Sequence, residues 1–353
     1  MAWDVVSTHL NRCKEFGLNI DGDDLPPVQD LSFPILESFH PGRRLAAYDK
    51  DAYSWLSGPI AGAVNFKLTK VVLSSPHTSL PYSQLRTLKI RGLLENDLHS
   101  FLNYWSLEAL HVLIRCEPSG EELPWPATFA MLPSLRRLKV WVDDPIYADT
   151  IIQPLLCSLV MPSLVRLQVI QNNWLGSDVL YFLTRRSSRL QRLELDTGGI
   201  ANEINDSSIV QFAPLLSFLL NLPDLEYFTF RFSSAFLASS TLASAHISSM
   251  ASALSDHFTT ALSWLLERLS PHDDHSGTES KGTFLRKLHY IYLRSSKIAL
   301  DPSLVHEFRE VAVARAATTP LREMRLTSKN DTVRIISGPT TVPLGEQYDS
   351  DQC

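Results

Sequence analysis

The stretch LPSLRRLKVWV (132–142) decides the fold, because its apolar residues recur at fixed short intervals. Leu135 is followed by Leu138 and Val140, so the phrase reads Leu, two variable residues, apolar, one variable residue, apolar. The last two apolar positions are two residues apart, which places them on one face of a β-strand. Related phrases recur as LTKVVL (68–73), LRTLKI (85–90), LEALHV (107–112), LVRLQV (164–169), LQRLEL (190–195), LEYFTF (225–230), LHYIYL (288–293) and LREMRL (321–326).

The spacing of these phrases indicates a repeat. From Leu85 to Leu225 the intervals are 22, 28, 29, 26 and 35 residues, and leucine-rich repeats run at roughly 20–29 residues. Segments between the phrases show helical spacing of apolar residues, and Asp301-Pro302 is a good helix start. The sequence therefore predicts an α/β leucine-rich-repeat solenoid, a ribonuclease-inhibitor-like horseshoe. Its parallel sheet would form the concave face and its helices the convex face.

The array predicts one irregular leucine-rich-repeat domain over residues 1–330. A long interval between Leu225 and Leu288 interrupts it, and we expect an inserted helix and a disordered loop within 233–283. Residues 331–353 form a polar C-terminal tail that we expect either to fray or to cap the array.

The composition excludes several classes of protein. Pro, Gln, Ser and Asn break the longest apolar stretches, so we expect no membrane span, and the N-terminus does not resemble a secretory signal. The 4 cysteines are far apart without a CxxC pair, which favours a reduced protein of the cytoplasm, the nucleus or both. The net charge of −6 argues against wholesale nucleic-acid binding.

The chain carries no enzyme signature: GxGxxG, GxxxxGK[ST], GxSxG and HExxH are all missing from the sequence. The cluster His272-Asp273-Asp274-His275 lies in a Ser/Gly-rich segment. We interpret that segment as a solvated loop, because a structural zinc site needs ligands at fixed geometry. We therefore expect no catalytic residue, no cofactor and no metal site.

The third, fifth and seventh positions of each phrase alternate with the buried ones, so they should point outward. In nine phrases, 10 of these 27 positions are Lys or Arg and 3 are acidic. One interpretation is that basic residues are simply tolerated on a solvated sheet. The other is a cationic groove with aromatic anchors that binds an acidic or phosphorylated protein segment. The partner-binding residues under this second hypothesis are Lys89, Arg91, Arg137, Lys139, Trp141, Arg166, Arg192, Tyr227, Arg231, Tyr290, Tyr292 and Arg294.

With phrases such as FPILESF (33–39), LPSLRRL (132–138) and MPSLVRL (161–167), the chain resembles the repeat region of F-box proteins from mushroom-forming fungi. The resemblance covers roughly residues 5–330. It implies the substrate-recognition half of a ubiquitin-ligase receptor, whose F-box recruits the ligase through a Skp adaptor. The chain departs from the family because no F-box is visible in it. The resemblance thus implies adaptor and cullin as partners only if an F-box is supplied elsewhere, and the alternative is a standalone binder or inhibitor without ligase recruitment.

Overall fold

A computed structural model gives the fold. It describes residues 12–18, 38–41, 70–73, 85–91, 106–114, 130–142, 155–172, 189–197, 221–232, 287–295, 300–328 and 332–337, together with positions 9, 152, 183, 218–219, 259, 262–263, 265–267, 269–270 and 285.

Within the described residues, the main feature is a sheet of twelve strands whose spatial order follows the chain. Two further short strands, β6 and β8, pair with each other in a second parallel sheet. Helix α1 precedes the last hairpin. The elements are β1 (Glu15–Leu18), β2 (Ser38–Pro41), β3 (Lys70–Leu73), β4 (Thr87–Arg91), β5 (Ala109–Ile114), β6 (Ala130–Met131), β7 (Arg137–Val142), β8 (Leu159–Val160), β9 (Arg166–Asn172), β10 (Arg192–Thr197), β11 (Tyr227–Phe232), β12 (Tyr290–Ser295), α1 (Pro302–Thr318), β13 (Glu323–Thr327) and β14 (Thr332–Ile336).

The described strands of the main sheet pair in parallel from β1 to β13, and β13 pairs with β14 in an antiparallel manner. Parallel neighbours require a crossover connection between them. The α/β class and the mostly parallel sheet of the prediction are therefore confirmed, and the sequential order of the strands is consistent with a solenoid-like arrangement.

A recurring pair of backbone hydrogen bonds links each phrase to the next. The carbonyl of the second residue of a phrase accepts from the N–H groups of the second and third residues of the following phrase. The Glu108 carbonyl, for example, accepts from Arg136 and Arg137 at 2.9 and 3.0 Å. The Glu226 carbonyl does the same for His289 and Tyr290, at 2.8 and 3.1 Å. The ladder is therefore intact across the 63-residue interval that the sequence shows as an interruption.

A tight turn delivers the chain into several strands. In LPSL (132–135) and MPSL (161–164) the N–H of the last residue donates to the carbonyl of the first, at 3.2 and 3.1 Å. Proline in the second position fits such a turn because its ring fixes φ near −65°. LPDL (222–225) closes in the same way at 3.2 Å. The leucine that ends each turn is buried, so these turns determine which residues of the following strand face the core.

The core is formed by the apolar positions of the phrases. Wherever the structure describes their side chains, from β4 to β13, the first, fourth and sixth residues are buried. The residues of this core row are Leu85, Leu88, Leu107, Leu110, Val112, Leu135, Leu138, Val140, Leu164, Leu167, Val169, Leu190, Leu193, Leu195, Leu225, Phe228, Phe230, Leu288, Ile291, Leu293, Leu321, Met324 and Leu326.

Helix α1 begins where the sequence predicts. Asp301 is its N-cap and accepts from the Ser303 N–H at 2.8 Å, with Pro302 in the first turn. The helix buries one unexpected residue, Arg315. Its guanidinium donates to the carbonyls of Leu269 and Leu285, at 3.1 and 2.9 Å, and burial lowers the pKa of Arg315 to about 10. These bonds tie α1 to the end of the preceding helical residues and to the turn before β12.

The long interval before β12 is partly described. Its described residues between 259 and 269 are helical, and their leucines are buried. Most of the predicted disordered loop, including 271–284, lies outside the described residues. Within the part of the chain that the structure describes, no helix is long and apolar enough to cross a membrane.

Strand β14 extends the sheet beyond the predicted domain boundary at residue 330. It pairs antiparallel with β13 over residues 332–336. The sequence contains no phrase there, because a returning hairpin strand does not repeat the leucine pattern. Residues 338–353 lie outside the described part.

Burial of the core row leads to a prediction about stability. Leu167→Ala in β9 removes a fully buried side chain and should lower the free energy of unfolding by about 2–5 kcal/mol. The matched control is its neighbour Gln168→Ala on the other face, expected to change it by roughly 0.5 kcal/mol or less. Urea denaturation measures both, and equal losses would contradict the assignment of the two faces.

Candidate partner-binding face

The candidate site is the outward face of the main sheet, defined as the side that carries the third, fifth and seventh residues of the phrases. Strand register aligns these residues into three rows that cross the sheet. The first row contains Thr87, Ala109, Arg137, Arg166, Arg192, Tyr227, Tyr290 and Glu323. The second contains Lys89, His111, Lys139, Gln168, Glu194, Thr229, Tyr292 and Arg325. The third contains Arg91, Leu113, Trp141, Ile170, Asp196, Arg231, Arg294 and Thr327.

Every predicted partner-binding residue occupies one of these rows. Arg91 is placed by its backbone pairing with Leu113, and its side chain lies outside the description. The other eleven are half-buried or exposed. The structure thus brings the predicted residues onto one face but divides them into groups with different surroundings.

The first group is the cationic cluster, formed by Lys89, His111, Lys139 and Arg137 on β4, β5 and β7. Lys89, His111 and Lys139 are direct register partners in the second row. Burial, together with the positive charges of Lys89, Lys139, Arg137 and Arg166, lowers the pKa of His111 to about 4. His111 is therefore neutral near pH 7, and its lowered pKa reports the positive potential of this region.

The second group surrounds Glu194 at the middle of the sheet. Its Oε1 accepts from Arg166 at 2.9 Å and from Arg192 at 2.7 Å. Arg166 and Arg192 are themselves register partners on β9 and β10, so the carboxylate separates two like charges. Two of the predicted groove cations are thus paired within the protein, which sequence reasoning did not anticipate.

The third group is the tyrosine cluster, formed by Tyr227, Tyr290 and Tyr292. The ring centroids of Tyr227 lie 5.9 Å from Tyr290 and 5.3 Å from Tyr292. The guanidinium carbon of Arg192 lies 3.9 Å from the Tyr227 ring centroid, a cation–π contact. Tyr227 therefore forms one platform across β11 and β12 with Tyr290 and Tyr292, although Tyr290 follows it by 63 residues in the sequence.

The fourth group holds Glu323 at the C-terminal end of the face. Arg334 on β14 donates to Oε1 at 2.6 Å, Arg325 to Oε1 at 2.9 Å and Tyr292 to Oε2 at 3.0 Å. Burial acts to raise the pKa of Glu323, but the bonds from Arg334 and Tyr292 and the charge of Arg325 outweigh it and hold the pKa below its ordinary value. Burial and the bond to Glu323 raise the pKa of Tyr292.

Four positions predicted to point into solvent are buried, which corrects the sequence analysis. The exposed fractions are 1% for Ala109, 6% for Glu194, 3% for Thr229 and 8% for Glu323. The two glutamates lie beneath the long side chains that bind them. Ala109 has only a methyl group, which does not rise above its neighbours, and Thr229 pairs in register with Glu194 and Tyr292.

The face also shows what kind of chemistry it supports. The described residues contain no group of three or more His, Cys, Asp or Glu that could hold a metal ion, and 272–275 lie outside them. Trp141 stands between Leu113 and Ile170 in the third row, and its buried indole Nε1 has no hydrogen-bond partner among the described residues. The described face therefore offers charge, aromatic area and hydrogen-bond donors.

Sequence reasoning missed His111, Glu194, Glu323 and Arg334 as site residues. Alignment of the phrases contained a signal for Glu194. Arg166 and Arg192 occupy equivalent positions in neighbouring phrases, and Glu194 is an acidic residue two positions after Arg192. Arg334 had no such signal, because it reaches the face through the antiparallel pairing of β14.

Comparison of the chain with protein-family models and with curated proteins gives no match.

The Glu323 group yields a stability prediction. Glu323→Gln removes the charge that three donors share, and we expect a loss of about 2–3 kcal/mol in the free energy of unfolding. The control is Glu267→Gln, the same change at an exposed position. Chemical denaturation measures both, and equal small effects would show that the Glu323 group does not stabilise the sheet end.

His111 yields a pH prediction. Its pKa of about 4 in the folded protein is below the ordinary value of 6.5, so the unfolded chain binds a proton at higher pH. The lowered pKa of His111 leaves the free energy of unfolding unchanged above pH 6.5 and reduces it as the pH falls toward 4. We expect this reduction to be on the order of 1–2 kcal/mol after allowance for solvent screening. Denaturation at pH 7 and pH 4.5 should show a smaller loss for His111→Gln than for the wild type or for His306→Gln. An unchanged loss would contradict the lowered pKa.

Proposed function

We propose that the chain is a non-enzymatic protein-binding scaffold of the leucine-rich-repeat type, with the outward face as the concave surface of a horseshoe. The observation that carries this proposal is the register of the three rows, which makes one continuous surface from side chains of eight strands. Repeat proteins use such extended surfaces to bind partners.

The composition of the face supports a protein partner. Arginine, tyrosine and tryptophan dominate binding hot spots because they combine large contact area with hydrogen-bond donors. The face presents Trp141, the tyrosine cluster and several arginines, while the leucines of the core row are directed into the core. The chain as a whole is acidic, at −6, so a basic face is a local feature.

The charges favour an acidic or phosphorylated partner. The cationic cluster supplies ammonium and guanidinium groups on β4, β5 and β7, and none of the outward positions of these three strands is acidic. Such groups bind carboxylate and phosphate groups through charge-assisted hydrogen bonds.

We also propose that the protein acts like the substrate-recognition half of an F-box ubiquitin-ligase receptor, on the strength of its repeat phrases. A standalone binder without ligase recruitment is the alternative. Affinity capture with a Skp adaptor and a cullin separates the two, because a standalone binder should retain neither.

The face itself is tested by charge reversal. Arg137→Glu combined with Lys139→Glu inverts the centre of the cationic cluster, and we expect at least a tenfold loss of partner capture, equivalent to about 1.4 kcal/mol. Arg309→Glu is the matched control, an exposed arginine on α1 away from the sheet. The measurement is quantitative affinity capture, with hydrogen exchange to locate the protected strands. Equal capture by both variants, or protection confined to α1, would overturn the assignment of the face.

A further inference from the structure

We infer that the end of the outward face formed by β12, β13 and β14 binds an extended acidic segment of a partner protein. In that segment an apolar side chain and two carboxylates occupy alternate positions. The basic groups of the site are Arg294, Arg325 and Arg334, and its apolar contacts come from Tyr290 and Ile336. The inference rests on the proposed function and deepens it, because it names the pattern of the partner segment and the part of the face that holds it.

The antiparallel register of β14 extends the outward rows by one strand. The first row gains Ile336, the second gains Arg334 and the third gains Thr332. Neighbouring rows are two residues apart along each strand, so they are about 7 Å apart, which is also the spacing of alternate residues in an extended segment. A segment that lies along these strands therefore meets the three rows with three successive side chains of one face.

The second row holds more positive charge than the protein compensates. Arg325 and Arg334 are direct register partners, and like charges so placed destabilise a sheet. The carboxylate of Glu323 bonds to both, which leaves one positive charge in excess. The two arginine side chains are 36% and 47% exposed, so an incoming carboxylate can reach their remaining N–H groups. The Nε of Arg325 is buried and has no hydrogen-bond partner among the described residues.

Arg294 adds a cation in the third row. It is exposed, and its register partners are Arg231 and Thr327, so neither of them supplies a carboxylate. No described residue forms an ion pair with Arg294.

The charge balance of this end favours a segment with two carboxylates. The nine outward positions of β12, β13 and β14 are all described, and Glu323 is the one acidic residue among them. Three arginines therefore share one carboxylate, and two positive charges remain. The planar fork of a guanidinium group matches the geometry of a carboxylate, and charge-assisted hydrogen bonds between them are strong.

Apolar surface flanks the charges in the first row. Tyr290 and Ile336 lie on either side of Glu323 in the register, so their Cα atoms are about 10 Å apart. The Tyr290 ring centroid lies 6.4 Å from that of Tyr292, and Ile336 is a large apolar side chain that is 43% exposed. An apolar side chain of the segment that lies above Glu323 would contact both Tyr290 and Ile336, and tyrosine and arginine are enriched in binding hot spots.

The experiment measures binding of a fluorescein-labelled peptide, Leu-Ser-Glu-Ser-Glu between glycines, to the full chain by fluorescence anisotropy. We expect Arg294→Glu to weaken binding by at least about tenfold, because repulsion replaces attraction. Ile336→Ser should weaken it roughly fivefold through lost apolar contact. Both side chains are exposed, so these variants should fold. Arg309→Glu and Val313→Ser make the same changes at exposed positions of α1 and should bind like the wild type.

Control peptides test the pattern of the segment. A peptide with glutamine in place of both glutamates should lose at least about tenfold in affinity, because it offers no carboxylate. A peptide with the order Leu-Glu-Glu-Ser-Ser keeps the composition but places the carboxylates out of alternation. We expect it to bind roughly fivefold more weakly, since one carboxylate then points away from the face.

Several outcomes would contradict the inference. They are equal binding by Arg294→Glu and Arg309→Glu, equal binding of the glutamine peptide and its parent, or equal binding of the two glutamate spacings. A single-stranded oligonucleotide that displaces the peptide more effectively than unlabelled peptide, with a steep salt dependence, would overturn it in favour of nucleic acid. If the peptide does not bind while partner capture still requires Arg137 and Lys139, the scaffold function stands and this anchor alone is wrong.

Discussion

Burial of the leucine phrase on one side of each parallel strand is the constraint on which the rest of the structure depends. Side chains of a strand alternate in direction, so a slip of one residue would bring the core row into solvent and the polar rows into the core. The paired bonds to carbonyls such as those of Glu108 and Glu226 hold each strand to its predecessor in this phase. The residues of the outward rows are aligned across the strands because the residues of the core row are aligned.

That register also explains why the outward face is not uniform. Aligning equivalent positions places Arg137, Arg166 and Arg192 side by side, which concentrates like charge. The compensation of this repulsion differs from one part of the sheet to another. Glu194 compensates it on β9 and β10 through two ion pairs, and β4 to β7 carry no acidic outward position. The distribution of charge along the face therefore depends on which strands carry an acidic residue at an outward position.

The sequence predicts well the strands that carry the leucine phrase, their phase and the start of α1, because each depends on a local pattern such as Leu135, Leu138 and Val140 or Asp301-Pro302. It predicts the burial of Glu194 and Glu323 poorly, since that burial depends on arginines contributed by other strands. It does not predict β14, because an antiparallel closing strand does not follow the repeat. Local patterns determine which face a residue occupies, and pairing between strands determines whether its charge is compensated there.

The antiparallel strand β14 has a consequence for self-association. A parallel sheet ends in an edge of unpaired backbone groups that invites another chain to add a strand. Among the described strands, the last one at this end is a short strand running in the opposite direction, and it bears Arg334 in its middle. Charged side chains on an edge strand discourage pairing with a second copy, and Arg334 is at the same time fastened to Glu323. Arg334, which completes the packing at this end, thus also disfavours the addition of a further strand there.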